Sequence, residues 1–349
     1  MTGAAVLASV ALAGCSGGGG SSPTTSPTTA TTTTTESGPT LDTVTLPDGV
    51  SESGVSESLL LSHKLKTSDE AYTIERRYTN PHSNRRTKIQ LGTSTAAQKQ
   101  VVVSGQSKSF WKTGTVGLCR ANGGSYYYHC DPTVNRSRIA DYYRIRQHLQ
   151  LGDYRPTSVE DGDGQTVVTA KAPSATITGA LSREFSEIES YTGTLTFTPE
   201  GVIHSLSYDM TVVRPWNDRP EQSSFSWTAS KFGETTVSKP SWVPQAKAKA
   251  FEFEVSGHPD GNYVTIDIVG GSGTLPSNLY VTMNNREHNF HADPDIGLSA
   301  GDTLYLGLSA DSLVATTGDP LENRDDVNGQ FDLRISVNGP RVIETTVTL

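Results

Sequence analysis

From residue 72 onward, apolar and polar side chains alternate with the two-residue period of strands that bury one face. Tyr72 and Ile74 share one side of a run over 72–78, and Ile89 and Leu91 share one side of a run over 86–91. Thr73, Glu75, Lys88 and Gln90 take the other side. The first run stops at Asn80-Pro81, because proline has no amide to give to a ladder. Runs at 100–103, 109–111 and 124–129 extend a meander, and a second set follows at 165–170, 191–198, 202–213 and 225–232. Helical spacing interrupts twice: at 55–65, with Leu59, Leu60, Leu61 and Leu65 around His63, and at 138–151, with Ile139, Tyr142, Tyr143, Ile145 and Leu149.

A proline-flanked stretch, Pro240-Ser241-Trp242-Val243-Pro244, then marks a boundary. Past it, six short alternating runs at 251–255, 263–269, 279–283, 303–308, 330–337 and 342–349 are separated by Gly, Pro, Asn and Asp, the spacing of a small β-sandwich. The pattern thus predicts a mainly β chain, with an α+β first domain over 41–244 and a sandwich over 245–349.

The start of the chain reads differently. Residues 3–14 are apolar, but a membrane-spanning helix needs about 20 such residues, so the run reads as the core of a signal peptide. It ends in Leu12-Ala13-Gly14-Cys15, a lipobox whose cysteine thiol takes a diacylglycerol. The expected location is the extracellular face of the cytoplasmic membrane, with residues 1–15 as signal and Cys15 as lipid anchor. No Lys or Arg precedes the run, so the true translation start is expected upstream of Met1. Residues 16–40 are Gly, Ser, Thr and Pro with almost nothing apolar, a tether reaching about 25–30 Å as a coil.

Composition narrows the partners. A formal net charge of −9 excludes a nucleic-acid groove, which needs clustered Lys and Arg. With Cys15 modified, Cys119 and Cys130 remain as an even pair in an exported chain and predict a disulfide across the Ala121-Asn122-Gly123-Gly124 turn. Closing so short a loop stabilises by about 3 kcal/mol in the chain-entropy model. Asn135-Arg136-Ser137 is a glycosylation sequon.

Little else carries chemistry. His288 and His291, with Glu287, Asp293 and Asp295, form a His/carboxylate cluster, but on a strand the two histidines face opposite sides, and a polar loop is the expected use. Asp161-Gly162-Asp163-Gly164 reads as a hairpin turn, without the closing Glu of a calcium loop. No His-Glu-x-x-His motif occurs, and the Gly-x-Ser-x-Gly spacing falls only at Gly14-Cys15-Ser16-Gly17-Gly18, across the lipobox, and at Gly297-Leu298-Ser299-Ala300-Gly301, among short β runs rather than at a strand-to-helix turn, so neither catalysis nor a metal or cofactor is expected. The aromatics Phe110-Trp111, Tyr126-Tyr127-Tyr128 and Tyr142-Tyr143 are expected mainly in cores, with Tyr127 facing away from its two neighbours.

The order of elements over 55–244 resembles that of haloarchaeal surface lipoproteins whose N-terminal region is similar to the LolA/LppX lipoprotein carriers. That order is an opening helix, a long meander, a helical interruption, the closing stretch 194–202 and an exit through Phe232-Gly233 to Trp242. The resemblance implies an incomplete antiparallel β-barrel wrapped around helices, with an apolar concavity for an acyl chain or lipid. Arg76, Arg77, Arg85 and Arg86 depart from a purely lipid-lined surface. The stretches 251–255, 278–282 and 298–303 resemble the β-sandwich of haloarchaeal pilin-type domains. On this reading a lipid or other apolar ligand sits on Tyr72, Ile74, Ile89 and Leu91, and the alternative is a structural or adhesive surface protein contacting the S-layer or glycans.

Overall fold

Two meanders are joined into one sheet by the pairing of a strand near the start of the fold with one near its middle. The computed structural model describes residues 38–121, 126–130, 135–162, 164–177, 185–259, 262–285, 287–309, 312–320, 322, 325, 329–337 and 341–349. Cys15, the signal, most of the tether, the turn residues 122–124 and Asp163 lie outside them. A small ribbon, β1 (Val50–Ser51) and β2 (Gly54–Val55), leads into α1 (Ser58–Lys66). The first meander is β3 (Tyr72–Asn80), β4 (Ser83–Leu91), β5 (Ala97–Val103), β6 (Gln106–Thr113), β7 (Val116–Ala121) and β8 (Tyr126–His129). Helices α2 (Arg136–Ala140) and α3 (Tyr142–Leu151) cross to the second meander. That meander is β9 (Arg155–Gly162), β10 (Gln165–Ala172), β11 (Glu187–Phe197), β12 (Ile203–Arg214) and β13 (Asn217–Ser230).

Antiparallel pairing of β3 with β13, from Thr73 opposite Ser230 to Thr79 opposite Ser224, makes these one eleven-stranded sheet in the order β8-β7-β6-β5-β4-β3-β13-β12-β11-β10-β9. The sheet stays open, and each edge is covered, as exposed ladders must be to avoid pairing with other chains. At β8, His129 N donates to Phe251 O and Phe251 N donates to Tyr127 O, each at 3.0 Å. Beside β9, Val55 N donates to Tyr154 O at 3.0 Å. The helical stretch foreseen over 138–151 is two helices, because Asp141 takes a left-handed conformation (φ 61°), which Asp tolerates better than most residues. Within this sheet the strands the pattern missed are β7, interrupted by Gly117, and the charged edge strand β9.

The rest of the chain is α4 (Val243–Lys249) followed by β14 (Glu252–His258), β15 (Tyr263–Gly270), β16 (Thr274–Leu275), β17 (Leu279–Asn284), β18 (Asn289–Ala292), β19 (Leu298–Ser299), β20 (Thr303–Ser309), β21 (Ser312–Thr317), β22 (Gln330–Val337) and β23 (Arg341–Thr348). Sheets β14-β15-β20-β21 and β18-β17-β22-β23 share one apolar core, with β16-β19 as a separate pair. Residues 38–349 form one compact unit, and the expected division at 244/245 falls inside α4. Trp242, Val243 and Ala246 of the α4 segment pack with Trp111, Leu118 and Tyr127 on one face of the first sheet. On its other face Tyr126 and Tyr128 join the sandwich core, so the triplet divides as alternation requires.

The main core lies inside the curl of the eleven strands. Tyr142, Ile145 and Leu149 recur at helical spacing along α3 and bury that face, while Leu59, Leu60 and His63 of α1 go under with them. Leu61 and Leu65 point out to solvent instead. Tyr72, Ile74, Ile89 and Leu91, foreseen as a ligand surface, lie inside this core at no more than 1% exposure, against residues of both helices. That placement corrects the expectation: the helices fill this part of the curl and leave no wall there. Ile74→Trp or Leu91→Trp should therefore overpack the core and cost about 1–3 kcal/mol, read as a lower urea midpoint. Unchanged midpoints would show that the face is roomier than this packing.

Candidate functional site

Strand register carries the inward face of the first meander past the helices. Starting from Ile74, successive partners across the sheet are Ile89, Lys99, Phe110, Cys119 and Tyr128. The next inward row runs Arg76, Thr87, Val101, Lys108, and the one beyond begins Tyr78, Arg85. The β3 end of these rows is sealed under α3. Over β4 to β8 the cover is looser, because Asp141 turns α2 away from the axis of α3 and β23 supplies the opposite bank. Between them lies a cleft of about 600 Å³, within the range of small-molecule sites. Val101, Phe110, Ile139, Tyr128, Val342 and Ile343 give it apolar walls, with the Cys119–Cys130 disulfide among them.

Its polar groups are unevenly matched. Asp141 is committed to Arg76, Oδ2 to Nη1 at 2.5 Å, with Arg144 Nε a further 3.7 Å from the same oxygen. Glu344 of β23 pairs with Arg138 of α2 and lies 3.4 Å from Arg334 Nε, joining the two banks. Arg85, Lys99 and Lys108 have no carboxylate within ion-pair distance among the described residues. Lys99 Nζ donates to Ile139 O at 3.3 Å, and Arg85 Nε is buried without a hydrogen-bond partner. Burial, against the pull of Asp141 and with the push of Arg76, Arg85 and Arg144, brings the Lys99 ammonium down to about 8. Burial also lowers Arg85, helped by Arg76 and Arg144, and lowers Lys108, helped by Arg85.

The remaining sequence candidates are dispersed. Cys119 and Cys130 are joined as expected, Cα to Cα 5.9 Å, and staple β7 to the end of β8 beside the cleft. Asn135 is exposed, and its Oδ1 caps α2 by accepting from Arg138 N at 2.9 Å. His291 lies on β18 and His288 just before it, and no group of three or more His, Cys, Asp or Glu among the described residues is placed to share a metal ion. The arginine quartet is sorted by alternation: Arg76 and Arg85 face inward, and Arg77 and Arg86 outward. Lys99 and Lys108 escaped sequence reasoning, although both sit in phase with apolar neighbours, Lys99 two residues before Val101 and Lys108 two before Phe110. A cation in phase with a buried face was the available signal.

Lys99 gives the site a pH signature. In the unfolded chain its ammonium holds its proton up to about 10.5, whereas in the fold it releases it near 8. The folded state carries the full cost of the charge below pH 8 and sheds it as pH rises towards 10.5. Lys99→Met should raise stability at pH 7, with the gain over wild type shrinking to nothing by pH 10.5 in urea melts across that range. A gain that does not vary with pH would contradict this environment.

A search of curated proteins by sequence finds no match. Among solved structures, MucB in complex with MucA(peri) aligns at 11% identity over 75% of this chain and 92% of that one, TM-score 0.22. MucB alone aligns at 11% identity over 72% and 80%, TM-score 0.24. A putative outer membrane lipoprotein-sorting protein domain from Vibrio parahaemolyticus aligns at 9% identity over 52% and 94%, TM-score 0.19. Residues 1–246, well over half of the chain, match the model of a family described as of unknown function, DUF7537, and the protein belongs to that family.

Proposed function

We propose that this chain is a lipid-anchored binding protein held outside the cytoplasmic membrane, taking an apolar or amphiphilic molecule into the cleft between β4–β8, α2 and β23. The observation that carries this is the cleft itself, open beside a filled core and walled by Phe110, Val101, Ile139 and Ile343. The lipobox at Cys15 and the Thr-rich stretch after it support the anchor and tether. The acidic balance is in keeping with a haloarchaeal surface, and a pilin-type character of the second β region belongs to the same proposal. We read binding rather than catalysis here, since the cleft offers cations and ion-paired carboxylates.

Two measurements test this reading. Cys15→Ser should shift the protein from the membrane fraction to the medium or leave its precursor unprocessed, because the thiol is the acceptor; unchanged fractionation and processing contradict the anchor. The delipidated chain should take up a fluorescent acyl probe saturably, one per chain, and Val101→Trp should abolish uptake at an unchanged melting temperature. No uptake by the wild type would favour a structural or adhesive surface protein, which the filled part of the curl also suits.

A further inference from the structure

We infer that the ligand of this cleft is an amphiphile with an anionic head, a carboxylate or phosphate seated among Arg85, Lys99 and Lys108, with its chain running towards the disulfide and Ile343. The inference rests on the reading that the cleft binds a ligand at all. Around the cleft and its ion pairs, seven cations (Arg76, Arg85, Lys99, Lys108, Arg138, Arg144 and Arg334) meet two carboxylates, Asp141 and Glu344. This occurs in a chain whose net charge is −9. Each carboxylate is already shared by two guanidinium groups, so neither can neutralise the remaining three cations. Like charges drawn partly out of water without a counterion are costly to hold, and that cost is what an anionic ligand would relieve.

The three cations without a carboxylate are also grouped on one side. Arg85, Lys99 and Lys108 stand on β4, β5 and β6, whereas Cys119, Tyr128, Val342 and Ile343 stand on or beside β7, β8 and β23. A molecule lying across the strands therefore meets charge at one end and apolar surface at the other. A neutral apolar ligand would bury the three cations further with nothing in return. A small inorganic anion would leave the apolar wall wet.

The test titrates the full chain carrying Cys15→Ser, stripped of lipid, with laurate, dodecyl phosphate, dodecanol and inorganic phosphate. Laurate and dodecyl phosphate should bind one per chain and at least about tenfold more tightly than dodecanol, since hydrogen bonds to charged groups are worth that much or more. Inorganic phosphate should not compete at equal concentration. The double variant Arg85→Gln/Lys108→Gln should bring the laurate-to-dodecanol ratio towards one. Equal binding of laurate and dodecanol by the wild type would overturn the anionic head while leaving the cleft reading in place. Phosphate binding as tightly as dodecyl phosphate would overturn the amphiphile. If no probe binds a chain that still melts cooperatively, the cleft reading falls and this inference with it. The wild-type series alone decides between these outcomes, should the double variant fail to fold.

Discussion

Helix α3 seats Tyr142, Ile145 and Leu149 against strands from both meanders, and the rest of the inner surface is arranged around that seat. Its Tyr142 and Tyr72 of β3 are hydrogen-bonded through their hydroxyls. The ring of His63 meets Tyr142 and Trp227 edge-on, with centroids 5.6 and 5.8 Å apart. His63 Nδ1 accepts from Ile203 N at 3.2 Å, and burial, together with His204 and Arg136, brings this histidine down to about 3. It therefore stays neutral inside the core. The curl of an open sheet this wide would otherwise be hollow. The core fills the side of β3 and β10–β13, and the cleft lies on the β4–β8 side.

The second constraint is the clasp on β8. A free edge there would be a hazard, and the chain covers it with Phe251, buries Tyr126 and Tyr128 in the sandwich core, and lets Tyr126 Oη donate to Val337 O at 2.7 Å. Helix α4 presses on the opposite face through Trp242 and Val243. Held on both faces, the edge brings β23 over the inner surface of β5–β8, and one wall of the cleft comes from the sandwich. Neither β region would form this site alone, and the Asp141–Arg76 pair ties the same site to the helix break.

Much of this was legible along the chain. Alternation located most strands of both meanders, the helical interruption fell where α2 and α3 cross, and Cys119 and Cys130 were paired from spacing and turn residues. Alternation also identified Tyr72, Ile74, Ile89 and Leu91 as one inward apolar face. What it could not say was whether α3 covers or fills that face, since a packed core and an apolar cavity show the same two-residue pattern. Lys99 and Lys108 were illegible for a related reason: an isolated cation in a strand reads as solvated until register shows which apolar row it joins. The turn of α2 away from α3 depends on the left-handed backbone of Asp141, for which the sequence offers only a residue type that tolerates it.

An acidic amphiphile held on the open side of the curl in the living cell would stay with the protein through a gentle purification. Native mass spectrometry of the full chain, purified gently from the cells that make it, is the decisive measurement. The account predicts one non-covalent acidic amphiphile per chain, retained by wild type and lost when Val101→Trp fills the cleft. A chain that emerges bare, or a neutral lipid retained equally by both proteins, would contradict it.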